Sequence, residues 1–388
     1  MYKNEVLQPF PEPGFDPNKK EEWFDDKKYE ETVGYNDNEC IFYPSEIYSS
    51  LTDQRLSLLS IKSALELNSH LILDADMLVI NDTLGFFSIQ AAKLGAHRVV
   101  CVELSRAKFN FTKKIIKENG CSSVVKVILG EVFDLDSSET GKFDVIVCEW
   151  YGEFLMLESY LKEVLWAKER LLRESGIVIP DSGTLFLAAV EDKEFKEGKF
   201  GAWKEVYGLD MGCVKEAAIR EPLIDTFSPS NLLSPPSPLF HIDLHNISPS
   251  ALDFSSSYSL NITKNSFVSG LATWFEIATI HTENKVSFTT SPFNDYTKWK
   301  QTLFYFEDDF KVRKGERLEG SFCCKVGGSK AKVDITDNSQ DREIKELDMK
   351  ISYEIKGKIN DKDMEVEDVD MSEKNTQRKG IQMYKLVY

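Results

Sequence analysis

Two glutamates, Glu149 and Glu158, stand nine positions apart in "CEWYGEFLMLES". Ionised carboxylates are acceptor-only groups. A pair of them around one loop can grip a planar guanidinium through paired, charge-assisted hydrogen bonds. By itself the pair is a weak signal, since loop acids are usually just solvated. A second set of candidates lies upstream in "LVINDTLGFFSIQAAKLGAHRVVCVEL", Leu78 to Leu104. Its turn reads Asn81-Asp82-Thr83-Leu84-Gly85, and its second apolar run ends in the acid Glu103. This is the layout of a nucleotide-binding βαβ unit, where glycines let the backbone approach the ligand and an acid holds ribose hydroxyls. The frame is present, but only Gly85 of the glycines remains. A third stretch, "SPFNDYTKWKQTLFYFEDDF", carries Tyr296, Trp299, Phe304 and Phe306, aromatics that read as core or interface.

Such residues need strands that end side by side. Apolar residues at helical spacing (Ile47, Leu51, Leu58, Ile61, Leu65) predict one or two helices between Glu46 and Asn68. A strand over Met77–Ile80, an amphipathic helix and a strand over Arg98–Val102 follow. "RAKFNFTKKIIKENG" reads as a helix closed by Gly120, "VVKVIL" as a strand, and "KFDVIVCEW" as a buried strand running into a loop. "LMLESYLKEVLWAKERLLRESG" reads as an amphipathic helix ending at Gly176. This alternation predicts an α/β, Rossmann-like, doubly wound parallel sheet with ligands at the carboxyl ends of its strands.

Beyond a hinge at Pro180-Asp181 the texture changes to short alternating runs such as "LFHIDLH", "VSGLATWFEIATI", "RLEGSFCCKV", "AKVDITD" and "IQMYKLVY". They predict an antiparallel β-barrel. The expected organisation is a loosely ordered extension over 1–33, a Rossmann-like domain over 34–181 and a barrel domain over 182–388. A charged segment over 359–380 reads as a solvated loop.

Composition bounds the function. The chain has 388 residues, 42% hydrophobic and 29% charged, enough for two ordinary cores. A net charge of −17 disfavours nonspecific binding to nucleic acid and suits basic partners. No apolar run is long enough to span a bilayer, and the N-terminal stretch lacks the apolar centre of a secretory signal. Seven scattered cysteines without a CxxC pair read as reduced thiols. A cytoplasmic location, with the nucleus as an alternative, is expected. His241 and His245 fall on one face of an expected strand, too far apart to share an ion, so no metal site is expected.

Three separated motifs, "CEWYGEFLMLESYLKEVLWAKERLLRESGIVIPDSGTLFLAAVEDKEFK", "WKEVYGLDMGCVKEAAIREPLID" and "TTSPFNDYTKWKQTLFYFEDDFKV", resemble the type I, asymmetric-dimethylating protein arginine N-methyltransferases in order and spacing. The likeness runs from about Tyr35 to the C-terminus. It implies a domain that uses S-adenosylmethionine, a C-terminal barrel, and a helical dimerisation arm within that barrel, here about 203–233. It further implies that Arg55 pairs with the cofactor's carboxylate, that Glu103 binds the ribose hydroxyls, and that Glu149 and Glu158 hold the substrate arginine. These four are kept.

Other positions depart from the family's pattern. The acid ending the first strand is Val79, and Asn81 and Thr83 stand in the glycine-rich turn. The acid near the adenine is Phe133. The aromatic N-terminal motif keeps Tyr35 but has Asn36 and Glu39. The Thr-His-Trp loop reads Thr297-Lys298-Trp299, and Thr52 replaces the aspartate that pairs with that histidine. Within the family the pattern resembles the kinetoplastid prozyme type. The expectation is a catalytically degenerate regulatory subunit that binds no cofactor and pairs through the arm with an active paralogue. Two alternatives stay open: an active S-adenosylmethionine-dependent enzyme with a remodelled pocket, and a scaffold for basic, Arg/Gly-rich RNA-binding proteins.

Overall fold

The computed structural model describes residues 54–327, 346–356 and 379–387. The expected extension over 1–33, Tyr35, Asn36, Glu39, Thr52, the run "AKVDITD" and all but the end of the charged segment lie outside the described residues.

The first unit is a five-stranded sheet in the order β3-β2-β1-β4-β5, with every neighbouring pair parallel. Its strands are β1 (Asp76–Ile80), β2 (Arg98–Glu103), β3 (Val125–Leu129), β4 (Phe143–Cys148) and β5 (Leu172–Ile179). The helices are α1 (Arg55–Leu67), α2 (Phe86–Lys93), α3 (Arg106–Glu118) and α4 (Leu161–Leu171). The central strands are apolar nearly throughout because both faces are covered. Strand alternation divides them: Met77, Val79, Val99, Cys101, Val145 and Val147 pack under α1 and α2. Leu78, Ile80, Val100, Val102, Ile146 and Cys148 face α4 and join the core that continues into the second unit. β1, β2 and β4 therefore end together, which sets Asn81, Glu103 and Glu149 along one edge.

The helix expected from Leu155 to Gly176 is shorter at both ends. α4 starts only at Leu161, because Leu155 and Glu158 have positive φ (69° and 51°) and cannot continue a right-handed helix. It stops at Leu171, where β5 begins directly and pairs with β4. Helical periodicity on either side of the true helix is a by-product of burial.

The second unit contains two antiparallel sheets. One runs β7 (Leu223–Asp225), β12 (Gln301–Val312), β10 (Ser266–Ala278), β6 (Ser182–Val190), β8 (Ser237–Asp243), with β11 (Ser287–Thr289) added on β10. The other runs β15 (Lys379–Val387), β14 (Glu346–Lys356), β13 (Arg317–Val326), β9 (Phe254–Asn261). The sheets share a core: Phe304 and Phe310 of β12, Phe322 of β13 and Tyr353 of β14 are buried together, and Phe240 stacks on Phe254 at 4.2 Å. Among the described residues no ladder joins the two sheets into the closed barrel that was expected. Between β6 and β8 the chain forms α5 (Lys193–Gly201), α6 (Gly212–Ala218) and β7.

The expected hinge at Pro180-Asp181 is a fastened junction. Asp181 is buried, and its carboxylate accepts from the amides of Ile280 (2.7 Å) and His281 (2.9 Å). Asn68 and Asn284 exchange side-chain and backbone hydrogen bonds at 2.9 Å across the same junction. The charged segment ends two residues earlier than expected, since Lys379 and Gly380 already belong to β15.

Candidate functional site

Glu149 follows the last residue of β4 and is 4% exposed. Ser57, on the buried face of α1, donates to its Oε1, and the Tyr151 hydroxyl bonds to the same serine. Tyr151 Oη also reaches Oε1 at 3.4 Å. Burial, then the Glu149 charge, push the Tyr151 hydroxyl well above its usual pKa, so it remains a donor. Glu149 is thus held in one orientation by two hydroxyls.

Glu158 reaches the same place by a different route. The loop between β4 and α4 is folded by backbone hydrogen bonds from Gly152 to Leu155 (3.1 Å) and from Leu157 to Glu153 (2.8 Å). A Cβ on Gly152 would lie 1.8 Å from the Leu157 carbonyl oxygen, so only glycine closes this loop. Phe154, Leu155 and Glu158 take left-handed conformations, each costing roughly 1–2 kcal/mol for a side-chain-bearing residue. Burial of Trp150, Phe154, Leu155, Met156 and Leu157 offsets that cost, and the Trp150 indole is anchored on the Pro180 carbonyl at 2.9 Å. A cavity of about 190 Å³ results, and Glu149, Glu153, Glu158, Asn81, Tyr151 and Lys298 all line it. It is smaller than the roughly 300–1,000 Å³ of small-molecule clefts and suits a single cationic side chain. Burial raises the Glu153 carboxyl's pKa, opposed by Lys300 and Lys298.

The nucleotide turn is built differently from what its frame predicts. Asp82 is 1% exposed, and its carboxylate accepts from the amides of Phe87 (2.9 Å) and Ser88 (3.0 Å) in the first turn of α2. These are donors that a helix N-terminus would otherwise offer to an anionic ligand. Asn81 and Leu84 keep positive φ (55° and 53°), so the backbone retains the course of a glycine turn with side chains added. Gly85 has φ +83°, and a Cβ there would press on Ile116 (3.2 Å) and Thr112 (3.3 Å) of α3. Its retention is explained by helix packing. Thr112 donates to Glu103 Oε1 at 3.1 Å. Burial, then the charge of Asp82, raise the Glu103 carboxyl's pKa to about 8, with Lys108 opposing. At neutral pH this group is largely protonated, which makes it a weaker acceptor for ribose hydroxyls than an ionised carboxylate. Val79 is fully buried in the core. Phe133 packs edge-on against Trp166 of α4 with centroids 5.4 Å apart. Arg55 opens α1 with an exposed side chain.

A model of the arginine methyltransferase oligomerization subdomain matches residues 181–358. A Caenorhabditis elegans protein arginine N-methyltransferase 1 is 33% identical over 311 residues, spanning 80% of this chain and 83% of that protein. The family is settled by that match. The chain is a member of the protein arginine N-methyltransferases. A Danio rerio protein arginine N-methyltransferase 8-B is 31% identical over 315 residues, 81% of this chain and 72% of its own. Among solved structures, the Trypanosoma brucei PRMT1 enzyme–prozyme heterotetrameric complex with AdoHcy matches with a TM-score of 0.75 at 25% identity, covering 88% of this chain and 98% of that one. Arabidopsis thaliana protein arginine methyltransferase 10 shares the fold, with a TM-score of 0.71 at 20% identity over 88% and 98%.

Glu149 and Glu158 line one cavity, and Asn81 joins them. Gly85 and Glu103 meet through Thr112. Phe133 packs into the core on α4. Sequence reasoning missed Ser57 and Tyr151. Neither residue type signals a carboxylate-orienting role, and Ser57 lies 92 positions from the acid it holds. Glu153 and Lys298 were visible as residues, but nothing local places them on the cavity wall. His241 lies on β8 bonded to Thr184 at 2.9 Å, while His245 lies beyond the end of that strand with its ring 5.2 Å from His281. Among the described residues no group of three or more His, Cys, Asp or Glu could hold a metal ion.

Proposed function

We propose that this chain is a regulatory subunit of an arginine methyltransferase assembly, pairing with an active type I paralogue and contributing little or no turnover of its own. The observation that carries this reading is the Asp82 carboxylate seated on the α2 amides beside a protonated Glu103. S-adenosylmethionine does not fit residues so arranged. Its carboxylate end would meet the charge of Asp82, a repulsion of about 1–4 kcal/mol at 4 Å between water-like and protein-surface dielectrics. Each displaced buried hydrogen bond costs on the order of 1–3 kcal/mol more. A micromolar site is worth only about 8 kcal/mol. Titration calorimetry of the full chain with S-adenosylmethionine tests the reading: no heat up to millimolar ligand is expected, and micromolar affinity or turnover by the isolated chain overturns it.

The partner is proposed on two further grounds. The stretch over 203–233 exposes Tyr207, Leu209 and Val214, apolar groups suited to docking. The Trypanosoma brucei neighbour is an enzyme–prozyme heterotetramer. Co-expression with active paralogues, followed by size measurement and a methylation assay, is expected to give a mixed oligomer with higher activity than the paralogue alone. We further propose a cytoplasmic location, with the nucleus as an alternative.

A second reading, an active methyltransferase with a remodelled cofactor turn, is favoured by Glu149 and Glu158 lining one cavity. Under it, Glu149→Gln abolishes methylation, and unchanged activity removes it. The acid pair and the charge of −17 would also let the chain present Arg/Gly-rich proteins to its partner. A pull-down with and without the catalytic subunit tests whether this chain captures them alone.

A further inference from the structure

The cavity that holds the acid pair also holds a cation of the chain itself. Lys298 lines it together with Glu149, Glu153 and Glu158. The residue is delivered by a tight turn in which the Lys300 amide bonds to the Thr297 carbonyl at 3.1 Å. Lys300 takes a left-handed conformation there, φ 48°. Behind the turn, Trp299 is 4% exposed and wedged edge-on against Tyr151 at 5.1 Å. The Lys298 ammonium leans 4.8 Å from the centroid of that ring. A cation over a tryptophan face beside three carboxylates has the surroundings that a bound guanidinium would seek.

The residue as a whole is open to solvent, so it stands at the mouth rather than the floor. Its ammonium end is nevertheless crowded. Burial lowers its pKa, opposed first by Glu149 and then by Glu158 and Glu153, with Lys108 adding to the depression. The acids most strongly coupled to it are the ones an incoming arginine would use.

We propose that Lys298 is a resident competitor for the arginine seat, a tethered cation that an arginine side chain must displace before it can reach Glu149 and Glu158. This goes beyond the regulatory-subunit reading. It concerns arginine recognition alone and holds whether or not the chain binds cofactor. It predicts that the cavity discriminates against arginine because Lys298 already offsets part of the charge of its three carboxylates.

The test is binding of a Gly-Arg-Gly-Gly peptide to the full chain, without S-adenosylmethionine, by fluorescence anisotropy at low salt. Lys298→Gln is expected to tighten binding about tenfold, the equivalent of about 1.4 kcal/mol. Lys298→Arg should bind as weakly as the parent, since it keeps the tethered charge. Adding Glu149→Gln to Lys298→Gln should remove the gain, which assigns it to this cavity. Lys298 is solvent-exposed, and thermal unfolding of Lys298→Gln should match the parent. Equal or weaker peptide binding by a folded Lys298→Gln chain overturns the proposal, as does a gain that survives Glu149→Gln. Neither result depends on whether calorimetry finds a cofactor site, so failure here is separate from failure of the regulatory reading.

Discussion

Asp82 and Glu103, at the carboxyl ends of the neighbouring parallel strands β1 and β2, are both buried, and the charge on the first helps hold the second in its protonated form. The pair is anchored from opposite sides. Asp82 is tied to the amides of α2, and Glu103 accepts from Thr112 of α3. One acid, introduced into a turn that other βαβ units fill with glycine, thus changes both the helix end and its neighbouring acid.

The pH dependence of stability should carry this signature. The Glu103 carboxyl has a folded pKa of about 8, above its ordinary 4.5. The folded state therefore binds its proton more tightly than the unfolded chain does. Its contribution is complete below about 4.5 and is lost as pH rises through about 8. Asp82 is raised by burial as well, so its effect has the same sign. Thermal unfolding between pH 5 and 9 should show a decline on the order of 2–4 kcal/mol that Glu103→Gln largely flattens. A parent chain with constant stability over that range would contradict the assignment.

Removing the other member should act on the helix. Asp82→Ala leaves the Phe87 and Ser88 amides without their acceptor. A loss of about 1–3 kcal/mol is expected, readable as a lower denaturant midpoint at unchanged m. In the same variant the high-pH decline should shrink, because Glu103 loses the charge that raises it. Hydrogen exchange should quicken at the start of α2 before the rest of the sheet.

Gly85→Ala should destabilise although no ligand is involved. The residue has φ +83°, and the added carbon would sit 3.2 Å from Ile116 and 3.3 Å from Thr112. Left-handed strain of about 1–2 kcal/mol adds to the crowding. A chain as stable as the parent would mean that the α2–α3 approach is looser than described.

In the acid-pair cavity, Ser57→Ala removes the hydroxyl that bonds both Glu149 and Tyr151. Stability should fall by about 1–3 kcal/mol, since two buried groups lose a partner. Arginine-peptide binding in the Lys298→Gln background should weaken, because Glu149 is no longer held in one orientation. Retained peptide affinity would show that Ser57 is only structural.

Assembly can be probed without disturbing the fold. Tyr207 is wholly exposed and Leu209 is 60% exposed, so glutamate at both positions should leave the melting temperature within about a degree. The mixed oligomer with an active paralogue should be lost in sedimentation velocity. Unchanged assembly would move the interface away from residues 203–233.

How far the sequence reaches can be judged residue by residue. β1, β2 and β4 were legible because an apolar run of four to six residues flanked by turns is a local pattern, and burial on both faces writes it plainly. β13 was read with its ends correct, since alternation of buried and exposed residues is local too. The acid pair and the altered turn were visible for the same reason: their meaning lies in residue types a few positions apart. The start of α4 was misread because the left-handed residues Leu155 and Glu158 follow from what the loop packs against.

The sequence by itself therefore determined the βαβ frame, the pair Glu149 and Glu158 at one loop, and the loss of glycine after β1. Only the tertiary structure decided that Ser57 holds Glu149, that Asp82 turns its charge onto the α2 amides, and that Lys298 lines the acid-pair cavity. Sheet order and the junction of two units bring Ser57 and Lys298 to Glu149 from 92 and 149 positions away, whereas Asp82 reaches amides only five and six positions on, through the way its own turn folds. Periodicity encodes which face of an element is buried. It carries no information on which distant side chain that face will meet, because the contact is set by the packing of whole elements.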